Sequence, residues 1–332
     1  MICTLTLTAI ASLAPAAPAD APDRLITAHG VELRADEDVF LLFAALNAAG
    51  YSEETKRKGP PLRAPVFHEI RSDVREQLRE VRSKPSMNAV RKLFEANPQE
   101  IDAYLKAILD DPASAGLAKA VDPVLAGFRE EGNLQTVFDK VAEDQRDHAK
   151  SLKTLLERDF LQARAIVGDD TLRAPAKLVV VPNPLDGHGM VRLLKIGETD
   201  FLVVGPGNDT ARAAVLERAL RPSVAALVKA AYPRAKGFRR SWDGLKTSRR
   251  IAKRYGDGAN YLTEALTDAL AHRVALAASK VKDTREADED FIDLQARQGM
   301  RWARAALKLL DRRDPKVPFA KDLPTLVGKV SP

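Results

Sequence analysis

Apolar residues recur at spacings of three and four from position 66 to 167, the period of helices with one buried face. The pattern breaks at Pro and Gly into "VFHEIRSDVREQLREVRS", "SMNAVRKLFEA", "PQEIDAYLKAILDD", "AVDPVLAGFREEG" and a long run from "NLQTVFDK" to "ARAIV". Ahead of these, "DEDVFLLFAALNAAGY" predicts a helix opened by Asp36 and Asp38 and stopped at Gly50, while 20–35 reads as a polar lead-in and 56–65 as a loop. The texture changes at 176. "AKLVVVPNP" (176–184), "GMVRLLKIG" (189–197) and "DFLVVGPG" (200–207) are short β-branched runs between turn residues, which predicts three strands in a meander. Helical periodicity then resumes over about 210–231, 259–280 and 286–311. Helices, then a small sheet, then helices predict an α+β fold, mainly helical, with a small three-stranded antiparallel sheet.

The chain of 332 residues exceeds the roughly 100–200 of an average domain. Two halves are expected, a helical one over 20–170 and one over 171–332 that contains the sheet. Residues 1–19 combine an apolar run with Ala-Pro-Ala at 17–19, which suits a signal-peptide-like leader and predicts export to a periplasmic or extracellular location, although no Lys or Arg follows Met1 closely. The single cysteine, Cys3, lies in that leader, so a processed chain would contain neither disulfides nor a cysteine nucleophile. No later apolar run reaches the ~18 residues of a membrane span.

The net charge of +6 is unevenly placed: positions 209 to 260 hold thirteen Lys or Arg against four acids. Within it "YPRAKGFRRSWDGLKTSRRIAKRYGDG" interleaves cations with Phe238, Trp242 and Tyr255, the composition of a nucleic-acid contact surface, and equally of a solvated basic connector. Arg239, Arg240, Arg249 and Arg250 are the candidate anion-binding residues, with an anionic lipid surface or envelope polyanion as the other partners such a patch would suit. Other chemistries lack their residues. There is no G-x-S-x-G; "VVGPGND" lacks the Lys-Ser/Thr of a phosphate loop; and the five histidines, at 29, 68, 148, 188 and 272, have no metal-ligand spacing.

The stretch "AAVLERALRPSV" (213–224) is an amphipathic helix whose buried stripe includes Val215, Leu216, Leu220 and Val224. Its letters Glu217 to Arg221, "ERALR", stand where a zinc helix reads H-E-x-x-H, with residues four apart on one face. Downstream, "NYLTEALTDALAHRV" places Glu264 and Asp268 one turn apart on a second helix. With a strand-rich segment before them, these features resemble the gluzincin zinc metallopeptidases over about positions 31 to 310, among exported bacterial proteins of that layout. The resemblance implies that Glu217 and Arg221 occupy the two ligand-histidine positions, Arg218 the general-base position, Glu264 that of the third ligand and Asp268 that of the residue orienting a ligand. Only Glu264 is retained, so the resemblance implies a lost zinc site, no cofactor, and a catalytically inactive pseudopeptidase with a binding or scaffolding role, taking a protein or peptide in the residual cleft. Arg221 is expected to reach Glu264, and to pair with Glu217 as an i, i+4 partner, in place of the metal. An active metal-dependent hydrolase with ligands elsewhere and a basic polyanion- or nucleic-acid-binding protein are the alternatives. A Glu-x-x-x-Arg pair is also ordinary content of a solvated helix face.

Overall fold

The strand Leu178–Pro182 is apolar and buried at all five positions, which a strand achieves only inside a sheet covered on both faces. In the computed structural model, which describes residues 24–26, 30–54, 62–167, 177–234, 236–279, 283–314, 316–319, 321–323 and 325, it is β3 of a five-stranded sheet. The strands are β1 (Arg24–Ile26), β2 (Val31–Arg34), β3 (Leu178–Pro182), β4 (Val191–Ile196) and β5 (Thr199–Val204), in spatial order β1-β2-β3-β5-β4. β2, β3 and β5 run parallel, and β1 and β4 are antiparallel edges.

This corrects the expected three-stranded antiparallel meander in two ways. The lead-in at 20–35 supplies two further strands, and β5 lies between β3 and β4 instead of following β4 at the edge. The second change has a reason in composition. β5 has five consecutive buried residues and belongs inside, whereas β4, with Arg192 and Lys195, is half exposed and suits an edge.

Side-chain alternation divides the sheet between two apolar layers. Leu33, Val180, Leu202 and Leu193 are register partners across four strands and share one face. On that face Leu33, Val180 and Leu202 pack with the last half of α6 (Leu134–Val167), with α7 (Asn208–Ala231), α10 (Gly258–Ser279) and α12 (Ala303–Asp311), and with two short helices, α8 (Lys236–Leu245) and α9 (Arg249–Tyr255). The opposite face, with Val179, Val181, Leu194, Phe201 and Val203, packs on α1 (Glu37–Leu46), α2 (Ser72–Val81), α3 (Ser86–Ala96), α4 (Ile101–Ile108), α5 (Ala115–Glu131) and the start of α6. At about 1.5 Å per residue, α6 is long enough to serve both layers. Leu134, Val137 and Val141 belong to one core, and Leu152, Leu156 and Phe160 to the other. The segment expected to end at 170 therefore shares a core with the one that follows.

Two predicted helices are shortened. The expected 286–311 helix is interrupted between α11 (Arg285–Arg297) and α12, where Gly299 takes φ of 95°. The helix expected from Val66 begins only at Ser72, because the Phe67 carbonyl accepts from the His188 N–H and holds that arm extended. The leader at 1–19 lies outside the described residues, and among the described ones no helix is long and apolar enough to cross a membrane.

The turn between β3 and β4 presses against the end of β5. A Cβ built on Gly205 would lie 2.3 Å from the Gly187 carbonyl oxygen, a backbone atom that cannot swing away. Gly205→Ala should therefore cost about 1–3 kcal/mol, the usual range for overpacking, measured by urea denaturation; an unchanged midpoint would contradict this packing.

Candidate active-site cleft

α7 and α10 lie side by side on the sheet face nearest β4. Their contact is made by small and branched apolar residues: Val215, Ala219, Leu220, Leu262, Ala265 and Ala269 are all essentially buried. α7 continues through Pro222 to Ala231, the end expected from its periodicity. Between the two helices and the sheet is a cleft of about 180 Å³. Val191 and Leu193 of β4, Leu202 of β5 and Ala214 of α7 form its apolar part. All five sequence-derived positions line the remainder: Glu217, Arg218 and Arg221 from α7, Glu264 and Asp268 from α10. The period of the helix explains this gathering, since 217 and 221, like 264 and 268, stack one turn apart.

Arg221 Nη1 lies 3.2 Å from Glu264 Oε2, as anticipated. A second guanidinium, that of Arg254 in α9, reaches the other oxygen, Oε1, at 3.0 Å. The expected Glu217–Arg221 pair does not form. Glu217 has no ion pair among the described residues, and its place in the cluster is taken by Arg254. The reason is electrostatic. Burial first, and then the nearby Glu264 charge, push the Glu217 carboxyl up to about 7. Asp268 is pushed up to about 8, by burial and then by Glu217 and Glu264. One carboxylate takes both guanidiniums, and its two neighbours keep protons instead of cations. Arg218 is held by Asp200 of β5, Nε to Oδ2 at 2.9 Å, with Lys195 Nζ 3.4 Å from the other oxygen.

This donor set does not suit a zinc ion. Arg221 has no lone pair to offer, and a protonated carboxyl at 217 is a poor ligand. Among the described residues no three His, Cys, Asp or Glu side chains are grouped as metal ligands.

The four candidate anion-binding arginines lie elsewhere. Arg239 and Arg240 on α8, and Arg249 and Arg250 on α9, are exposed. The interleaved rings point the other way: Phe238 packs edge-on to Trp302 at 4.5 Å, and Trp242 and Tyr255 pack on Tyr261 at 5.4 and 4.8 Å. A base cannot stack on rings that are already covered.

Sequence reasoning missed a second polar centre, on the opposite face of β4. Arg192, next to the cleft residue Leu193, turns into it. Its Nε donates to Asp186 Oδ2 at 2.7 Å and its Nη2 to the Tyr51 hydroxyl at 2.9 Å, while Nη1 reaches Asp102 of α4 at 3.3 Å. Tyr51 donates to Asp186 Oδ1 at 2.7 Å, and Asn47 donates to the Leu185 carbonyl at 2.9 Å. Asn47 and Tyr51 come from a widened final turn after α1, closed by Gly50 at φ of 107°. His68 stands edge-on to Tyr51, its rings 5.3 Å apart, and burial lowers it to about 4. Asp186 is fully buried, so this network is a structural clamp on the β3–β4 turn. Beside it, on the same turn, the exposed His188 has its Nδ1 3.2 Å from Glu69. The turn sequence "NPLDGHG" is the local sign; the partners Asn47 and Tyr51 lie 135 to 141 residues away and Asp102 90.

The raised carboxyls have a measurable consequence. Folded Glu217 and Asp268 hold protons that the unfolded chain has released above its ordinary carboxylate range. Their contribution to stability is therefore complete below about pH 4 and is lost as pH rises through about 7 to 8. The thermal midpoint should decline across that interval, and Glu217→Gln with Asp268→Asn should flatten the decline. An identical slope in wild type and double variant would contradict the assignment.

Compared with protein-family models, curated proteins and solved structures, the chain matches none.

Proposed function

We propose that the chain is a non-catalytic, metallopeptidase-like binding protein, an exported pseudopeptidase whose cleft between β4, α7 and α10 takes an extended polypeptide. The reading is supported above all by the Arg221–Glu264 bridge, 3.2 Å long, which puts a fixed cation between the two helices where the gluzincin resemblance would put zinc. β4 supports it as well. It is an edge strand, and an edge offers unpaired backbone groups to an added strand. Leu193 projects from that edge into the cleft and is 46% exposed, a first contact for an apolar side chain of the bound segment. Glu217 and Asp268, protonated near neutrality, can donate to its carbonyls without carrying uncompensated charge.

The test is selection from a phage-displayed random-peptide library by the full chain, repeated with Ala214→Trp, which fills the cleft, and with Leu193→Asp, which makes its rim polar. Peptides enriched on the wild-type chain should lose at least about ten-fold in affinity with either variant, the loss of roughly 1.4 kcal/mol, while both variants keep the wild-type melting profile. Failure to enrich any peptide, or enrichment indifferent to both substitutions, would overturn the reading. So would hydrolysis of a fluorogenic protein substrate by the wild-type chain.

A further inference from the structure

The cleft leaves unused a strongly basic surface. From position 236 to 254, the chain carries eight Lys or Arg against the single acid Asp243, and Asp243 is paired with Lys246 at 2.6 Å. Of the remaining seven cations only Arg254 has a carboxylate partner, Glu264, among the described residues. Lys236, Arg239, Arg240, Arg249, Arg250 and Lys253 are all exposed.

These cations are mounted on a rigid base. α8 buries Phe238 and Trp242, four apart, and α9 buries Ile251 and Tyr255, again four apart, in the same apolar layer that holds Tyr261 and Trp302. With one face of each short helix anchored, the opposite faces have to carry the charged residues outward. So many uncompensated like charges on two adjoining short helices repel one another, and an anionic partner relieves that repulsion.

We propose that the outward face of α8 and α9 docks on an anionic lipid surface. Charge complementarity identifies the class of partner, and the placement of the rings favours lipid over single-stranded nucleic acid. Every aromatic ring of the segment is turned into the core, which removes the stacking platform a single strand needs. Anionic lipids in a fluid leaflet can gather beneath the cations. Binding of this kind needs no inserted apolar residue, and each cation near the surface contributes about a five-fold increase in partition.

The experiment is co-sedimentation of the full chain with phosphatidylcholine vesicles, with and without phosphatidylglycerol. The wild-type chain should sediment only with the anionic vesicles, and less as salt is raised. Arg239→Gln, Arg240→Gln, Arg249→Gln and Arg250→Gln together should lower the partition by about a hundred-fold or more; if the four together unfold the chain, the 239/240 and 249/250 pairs made separately should each lower it by about twenty-fold. A control with the same change in charge on the far layer, Lys84→Gln, Arg91→Gln, Lys92→Gln and Lys119→Gln, should retain most of the binding. No sedimentation with anionic vesicles, or an equal loss in the control, would overturn the proposal. Duplex DNA that strips the chain from vesicles at a lower phosphate concentration than the lipid supplies would also overturn it, in favour of nucleic acid.

Discussion

Glu264 decides the character of the cleft. Its two oxygens are taken by two guanidiniums, Arg221 from the helix opposite and Arg254 from the short helix behind. A carboxylate so satisfied is a stable negative charge at the edge of the cleft. Glu217 and Asp268 face that charge with no ion-pair partner among the described residues, and burial together with repulsion raises them to about 7 and about 8. The three acids thus play two roles: one is an ion-pair anchor binding three helices, and the others are neutral hydrogen-bonding groups. The Glu264 charge is compensated by guanidiniums that the chain itself provides.

The strict alternation of β4 ties this cleft to the rest of the molecule. Leu193 enters the cleft, while Arg192 beside it closes the buried network around Asp186 and Tyr51 on the other side. A one-residue slip would exchange the two, placing a guanidinium against the apolar floor and a leucine against a buried aspartate. The polar clamp on the β3–β4 turn therefore fixes the register of the edge strand, and the register fixes the mouth of the cleft. The crowded approach of Gly187 to Gly205 serves the same end from the backbone.

Where local periodicity carries the information, the sequence is readable. α7 and α10 lie close to their expected spans, and Glu217, Arg221, Glu264 and Asp268 share one cleft because i and i+4 share a helix face. What escaped it depends on pairing across long separations. β2 is four residues long, alternates Val31 and Leu33 with charged neighbours, and becomes a strand only because β3 lies beside it. The position of β5 could have been read from its denser apolar run, a signal present in the composition but outweighed by the habit of sequential hairpins. Arg254 was counted among the basic surface residues, and nothing local distinguishes it from Lys253; only the packing of α9 against α10 turns it toward Glu264.

The sharpest test of the central claim, that a guanidinium holds the seat of a divalent cation between α7 and α10, is to restore the ligands. Glu217→His together with Arg221→His would set two imidazoles four apart on α7 opposite the Glu264 carboxylate, the composition of a zinc site. Elemental analysis of the purified double variant should find about one zinc per chain, reduced to background by a further Glu264→Gln, against none in the wild type. A folded double variant that takes up no zinc, or zinc retained without Glu264, would contradict it.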